Sequence, residues 1–282
     1  MNEMPALFIG HGSPMNTIET NEFTQAWRAL GATLPRPRAI LVVSAHWFIG
    51  ATAVTAMARP RTIHDFYGFP QPLFDFQYPA DGSPELAHEV AEVVKPDWVG
   101  LDQDQWGLDH GTWSVLAHLY PKADIPVVQL SINALQPLAY HVALGARLTA
   151  LRERGILLLS SGNVVHNLRL IERDKPTVGT DWARRFDEAT LHQMTEDPSA
   201  ILKIAEHPDY NKAVPTPDHF IPLLYTAGIA AKDGRSQSLI QGYSLGSLSM
   251  TSYLVGASLD LPSRAKGRND LPEDIPSDQT NI

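Results

Sequence analysis

The chain has 282 residues and a net charge of −9, with 44% hydrophobic and 19% charged residues. That mixture suits a soluble globular domain, and the acidic balance argues against a nucleic-acid partner. There is no cysteine but there are 11 histidines, which excludes disulfide frameworks, thiolate metal sites, iron–sulfur clusters and thiol nucleophiles. Any bound metal must be held by imidazole or oxygen.

In chain order, Ala6–Ile9 reads as a buried strand, followed by a helical pattern over Glu22–Leu30. A second buried strand spans Ala39–Ser44, and a weaker one Ala53–Met57. Helical patterns follow at Pro84–Val94 and Thr112–Leu119, then strand Val127–Ile132, helix Pro137–Arg154 and strand Ile156–Ser160. Helices are expected again over Thr180–Gln193 and Phe220–Ala230. The strands are continuous apolar runs rather than alternating ones, as in a sheet covered on both faces. Strands alternating with helices predict a single α/β domain over residues 1–256, with a mostly parallel central sheet and helices on both faces. Ser238–Val255 reads as two late antiparallel strands at the sheet edge. Residues 257–282 lose apolar content and are expected to form a polar tail that is disordered or loosely packed. No signal peptide and no apolar run approaching ~20 residues is visible, so a cytoplasmic protein without membrane contact is expected.

Ligands of open α/β sheets bind beyond the carboxyl ends of the strands. His11, His46 and His166 follow three of the buried strands and so fall at that edge. Each taken singly also fits a loop histidine with a local hydrogen bond. His219 is expected in the first turn of a helix capped by Thr216, where the dipole disfavours an imidazolium and leaves a neutral ligand. His110 lies between glycines and near Trp106 and Trp113, with Asp109 or Thr112 as helix cap. His64 and Tyr67 belong to an aromatic-rich loop that either covers a substrate or packs on the surface. His88, His118, His141, His192 and His207 read as structural or surface residues. Gly242-Tyr243-Ser244-Leu245-Gly246 fits the nucleophile-elbow pattern, but strand-like sequence follows it and no histidine lies downstream of His219, so it is rejected.

Several stretches together resemble a known family: MPALFIGHGSPMN (4–16), LPRPRAILVVSAHW (34–47), TIHDFYGFP (62–70), GLDHGTWSVL (107–116), IPVVQLSI (125–132), SSGNVVHNLR (160–169) and PTPDHFIPLLY (215–225). They are similar to the class III extradiol ring-cleavage dioxygenases, in the DOPA 4,5-dioxygenase branch of the LigB-like superfamily. The resemblance runs to about Val255 and leaves out the tail. It implies a non-haem metal site in which His11 and His46 are paired ligands, His219 a third, and His166 a fourth ligand or the base. His110 matches a further active-site histidine. No glutamate fills the carboxylate position of the common two-histidine, one-carboxylate iron triad. The resemblance implies Fe(II) for activity, with zinc able to occupy the same ligands, and a small aromatic diol and O₂ as reactants. On that reading His110 and His166 carry protons, while His64, Trp47, Tyr67 and Trp113 face the ring. Two other classes use the same histidines: a zinc-dependent hydrolase, and a metal-binding interaction protein without turnover.

Overall fold

The computed structural model describes residues 3–234, 236–259, 265–267 and 270–282. In chain order it places β1 (Ala6–Gly10), α1 (Glu22–Thr33), β2 (Ala39–Ile49), β3 (Ala53–Thr55), α2 (Gln71–Phe74), α3 (Pro84–Val93), β4 (Gly100–Asp102) and α4 (His110–Leu119). Then come β5 (Val127–Asn133), α5 (Leu138–Leu148), β6 (Ile156–Gly162), α6 (Asp181–Glu196), α7 (Tyr210–Ala213), α8 (Ile221–Asp233), β7 (Ser236–Ile240), β8 (Tyr243–Ser244), β9 (Leu248–Ser249) and β10 (Ser252–Val255).

Eight strands form one sheet in the order β4-β3-β5-β2-β6-β1-β10-β7. The central β5-β2-β6-β1 pairings are parallel, and β10 and β7 add antiparallel strands at the edge. The expected α/β class with late antiparallel strands is therefore observed. Alternate residues of each central strand enter different cores. Phe8, Leu41, Val43, Leu130 and Leu158 meet α3, α5, α6 and α8, while Leu7, Ile9, Ile40, Val42 and Leu159 meet α1 and α4. Both faces are covered, which is why these strands read as unbroken apolar runs.

The structure differs from the sequence reading at several boundaries. His46 lies inside β2, not beyond it, because the strand continues to Ile49. The β2–β5 register shifts between Val43 and Phe48, and that irregularity lets pairing resume after the histidine. The long Pro137–Arg154 helix is α only to Leu148, then tightens to a 3₁₀ turn ending at left-handed Gly155. The decoy serine motif forms the β8–β9 hairpin, with Leu245 and Gly246 at positive φ, so no elbow exists there. The expected tail lies partly outside the described residues. Its residues 270–282 return to the body, with Leu271 and Ile282 buried.

The hairpin is tied to α6 by Asp187. Ser249 Oγ and Thr251 Oγ1 donate to its carboxylate at 2.6 and 2.7 Å, and Tyr243 OH at 3.0 Å. Burial pushes this carboxyl up to about 6 against those hydrogen bonds. The folded state thus binds the proton more tightly than the unfolded chain, so stability falls as pH rises from about 4 through about 6. Asp187→Asn removes this slope, which amounts to on the order of 3 kcal/mol for a shift of ~2 pH units. Urea denaturation of chelated wild type and variant between pH 4 and 7 should show their difference narrowing or reversing as pH rises. A constant difference would refute the assignment.

Candidate active site

The carboxyl ends of β1, β2 and β6 deliver His11, His46 and the Ser160–Asn163 segment to one edge of the sheet. His110 opens α4, whose N-cap is Asp109, accepting from Thr112 N at 3.1 Å. Ring atoms of His11, His46 and His110 lie within 4.8 Å of one another, close enough to share one ion. The His219 ring centre stands 5.4 Å from that of His11 and 5.0 Å from that of His46. His166 stacks on His219 with ring centres 3.6 Å apart and planes 2° from parallel. All five histidines singled out at the strand ends and turns are therefore neighbours.

His219 is not in a first helical turn. Its helix begins at Ile221 with Phe220 as N-cap, and residues 217–220 form a turn closed by Phe220 N to Pro217 O at 3.1 Å. A neighbouring carboxylate instead fixes which ring nitrogen carries the proton. Asp218 Oδ2 lies 2.5 Å from His219 Nδ1 and accepts its proton, which leaves the Nε2 lone pair free. That Nε2 is buried without a partner.

The other tautomers follow from similar reasoning. Ser161 Oγ donates its single proton to Gly111 O at 2.5 Å, so it must accept from His11 Nδ1 at 2.9 Å. His11 Nε2 then carries a lone pair, 3.3 Å from His46 Nε2. Asp65 reaches both remaining rings. Its Oδ2 is 3.3 Å from His46 Nδ1, and its Oδ1 is 3.1 Å from His110 Nδ1 while accepting from His110 N at 3.0 Å. Neither ring contact is aligned as a hydrogen bond, but the negative charge favours a proton on each Nδ1. Converging bare imidazole nitrogens repel one another unless a cation lies among them, and His110 Nε2 is also buried without a partner. The donor set fits a divalent transition metal that accepts imidazole.

Burial, reinforced by neighbouring imidazoles, holds His11, His46 and His166 well below the ordinary histidine range. All three are thus neutral at neutral pH, the state in which an imidazole can accept a metal or a proton. Burial pushes Asp65 and Asp218 up, yet the adjacent histidines more than reverse this and keep both ionised. Asp109 is pushed up to about 6 by burial and by the charge of Asp65, against hydrogen bonds from Ser44 and Gln129.

Two glycines permit this crowding. A Cβ on Gly111 would stand 2.5 Å from Ser44 Oγ and 2.8 Å from His46 Cδ2, and one on Gly162 only 2.3 Å from His219 O. That carbonyl accepts from Asn163 N at 2.9 Å. Gly162→Ala should therefore push the 217–220 turn away, destabilising the fold by about 1–3 kcal/mol and weakening metal retention. Urea unfolding and a zinc titration report the two effects, and an unchanged zinc affinity would show that the turn does not position His219.

The expected ring-facing residues divide. Trp113 is fully buried among Phe66, Phe76 and His64 and donates to Ile63 O at 2.9 Å, so it belongs to the core. His64 spends Nε2 on Phe76 O at 2.9 Å. Trp47, next to His46 on an extended strand, points away from the histidines and stacks on Trp106. Tyr67 is 62% exposed and meets residue 280 through its backbone. Phe66 instead packs edge-on against His110 at 5.6 Å. Sequence reading missed Asp65 and Asp218 as partners, although each is adjacent in sequence to a histidine already singled out.

Comparison with known proteins is consistent with this geometry. Residues 5–257 match the LigB family, described as the catalytic LigB subunit of aromatic ring-opening dioxygenase. The chain belongs to the LigB family. A protein of Escherichia coli K12 named 4,5-DOPA dioxygenase extradiol is 49% identical over 90% of this chain and 95% of its own length. One of the same name from Beta vulgaris is 34% identical over 89% of this chain and 96% of its own. A crystal structure of an uncharacterized Escherichia coli K12 protein superposes with a TM-score of 0.76 at 44% identity, covering 90% of this chain and all of that one. The LigB-family chain is thus an extradiol ring-cleaving dioxygenase. The zinc-hydrolase and non-catalytic alternatives lose their ground. No helix among the described residues is long and apolar enough to cross a membrane.

Proposed function

We propose that the protein opens a DOPA-like catechol beside its diol with O₂, yielding a semialdehyde, and that Fe(II) is its working metal. The observation that carries this is the convergence of the His11, His46 and His110 ring nitrogens at the carboxyl edge of a LigB-family sheet, with buried ring nitrogens of His110 and His219 left without a partner. His11, His46, His166 and His219 are the residues that would hold the ion. Fe(II), when bound, supplies the electron exchange between diol and O₂ that redox-inert zinc cannot. The relatives named for 4,5-DOPA support the substrate class.

The chain's own groups supply the rest. Asp218 and Asp65 orient His219 and His46, so little reorganisation is required when ligands enter. His110 lies against the His11–His46 pair with Nε2 free, positioned to take the catechol hydroxyl proton and later return it. Phe66 holds the His110 ring edge-on and keeps water from its inner side. Oxygen uptake across DOPA, caffeate and protocatechuate after anaerobic Fe(II) loading tests the reading. Uptake with formation of a yellow product is expected with iron, and none with zinc. Iron-loaded protein inert towards all three would overturn it.

A further inference from the structure

We propose that residues 270–282, which lie beyond the matched LigB-family segment, form a strap across the histidine site that limits the size of catechol admitted. The strap is built into the body at several points. Ser13 Oγ donates to Asp270 O at 2.8 Å, close in sequence to His11. Arg173 Nη2 donates to Pro272 O at 2.7 Å, and buried Leu271 joins the core on the α1–α4 side. Ile275 fills the space over Gly68, where a Cβ would stand 2.5 Å from Ile275 Cδ1. Tyr67 N donates to Thr280 O at 3.0 Å, and Asn281 Nδ2 donates to the carbonyl of Asp65, the residue that steers His46 and His110. Asn281 takes φ 57, a left-handed conformation that asparagine tolerates better than most side chains.

These contacts set Asn281 and Ile282 between two cavities. One, of about 350 Å³, is also lined by His46, Phe48 and His219. The other, of about 240 Å³, is lined by His166, Asn167 and Arg169. Among the described residues, only Asp218, Asn281 and Ile282 line both. Ile282, 3% exposed, thus places its side chain beside Asn281 in a partition at the mouth of the site. A small catechol fits in one compartment, whereas a bulky one needs both and must displace the partition. The exposed Arg169–Asp278 pair, 3.2 Å apart, does little to resist this.

The inference rests on the ring-opening reading, and its test separates the two. Oxygen uptake by Fe(II)-loaded full-length protein gives kcat/KM for 4-methylcatechol and for a caffeoyl ester. The double variant Asn281→Gly, Ile282→Ala, and separately a chain stopped after residue 269, should raise the ester-to-methylcatechol ratio by about tenfold, the scale of apolar size discrimination. Hydrogen exchange adds a readout independent of turnover. In wild type the Tyr67 amide should exchange faster with the ester bound and unchanged with methylcatechol bound. A ratio unchanged within about twofold in both proteins, or Tyr67 exchange indifferent to the ester, overturns the strap. Wild type inert towards both catechols counts against ring opening, while the exchange measurement still decides the strap.

Discussion

His46→Ala should leave a folded protein that neither retains metal nor consumes oxygen with any catechol. The residue sits within β2 and directs Nε2 to within 3.3 Å of His11 Nε2, so its loss opens the centre of the donor set. Loss of an outer-shell partner of a metal site reduces affinity by about 10–100-fold, and loss of the ligand itself should exceed the upper end of that range. Metal analysis after gel filtration, with isothermal zinc titration, reads the affinity directly. The exposed His88 on α3 is the control, since His88→Ala should change neither quantity. A His46→Ala protein with wild-type metal content would remove His46 from the proposed set. The variant also tests tautomer logic, because removing one bare nitrogen relieves the repulsion facing His11. The metal-free variant should accordingly be no less stable than metal-free wild type, apart from the cavity.

Asp65→Asn is expected to give the second largest effect from a change of a single atom type. Asp65 touches two imidazoles at 3.3 and 3.1 Å and accepts the His110 backbone N–H at 3.0 Å. The amide oxygen of asparagine can keep the backbone contact, but it brings no charge to hold a proton on either Nδ1. Both rings become free to adopt the other tautomer or to turn. Metal affinity and turnover should fall by about 10–100-fold while the unfolding midpoint stays near that of wild type. The loss should exceed that of Phe66→Leu, which alters packing against His110 without altering charge. Equal losses in the two variants would mean that packing, not the carboxylate, orients His110.

Fold class and most of the histidine cluster could be read without coordinates. Continuous apolar runs need cover on both faces, and polar residues at their carboxyl ends fall at one edge because parallel strands share a direction. His11, His46 and His166 were legible for that reason, and the late strands were legible from the loose alternation of their Ser-, Leu- and Tyr-rich sequence. Tertiary structure alone decided what each ring nitrogen does. The Ser161–Gly111 bond that fixes His11 and the Asp65 contacts of His46 and His110 join residues 19 to 50 positions apart, beyond the reach of any local period. The same holds for the aromatic loop, where Trp113 and His64 look like pocket walls in sequence but are committed to backbone carbonyls of Ile63 and Phe76. The polar tail showed the limit most clearly. Its sparse apolar residues, Leu271, Ile275 and Ile282, cannot build a core of their own. They are held because the folded body offers a bare glycine, open backbone groups and an apolar rim at the places the tail reaches.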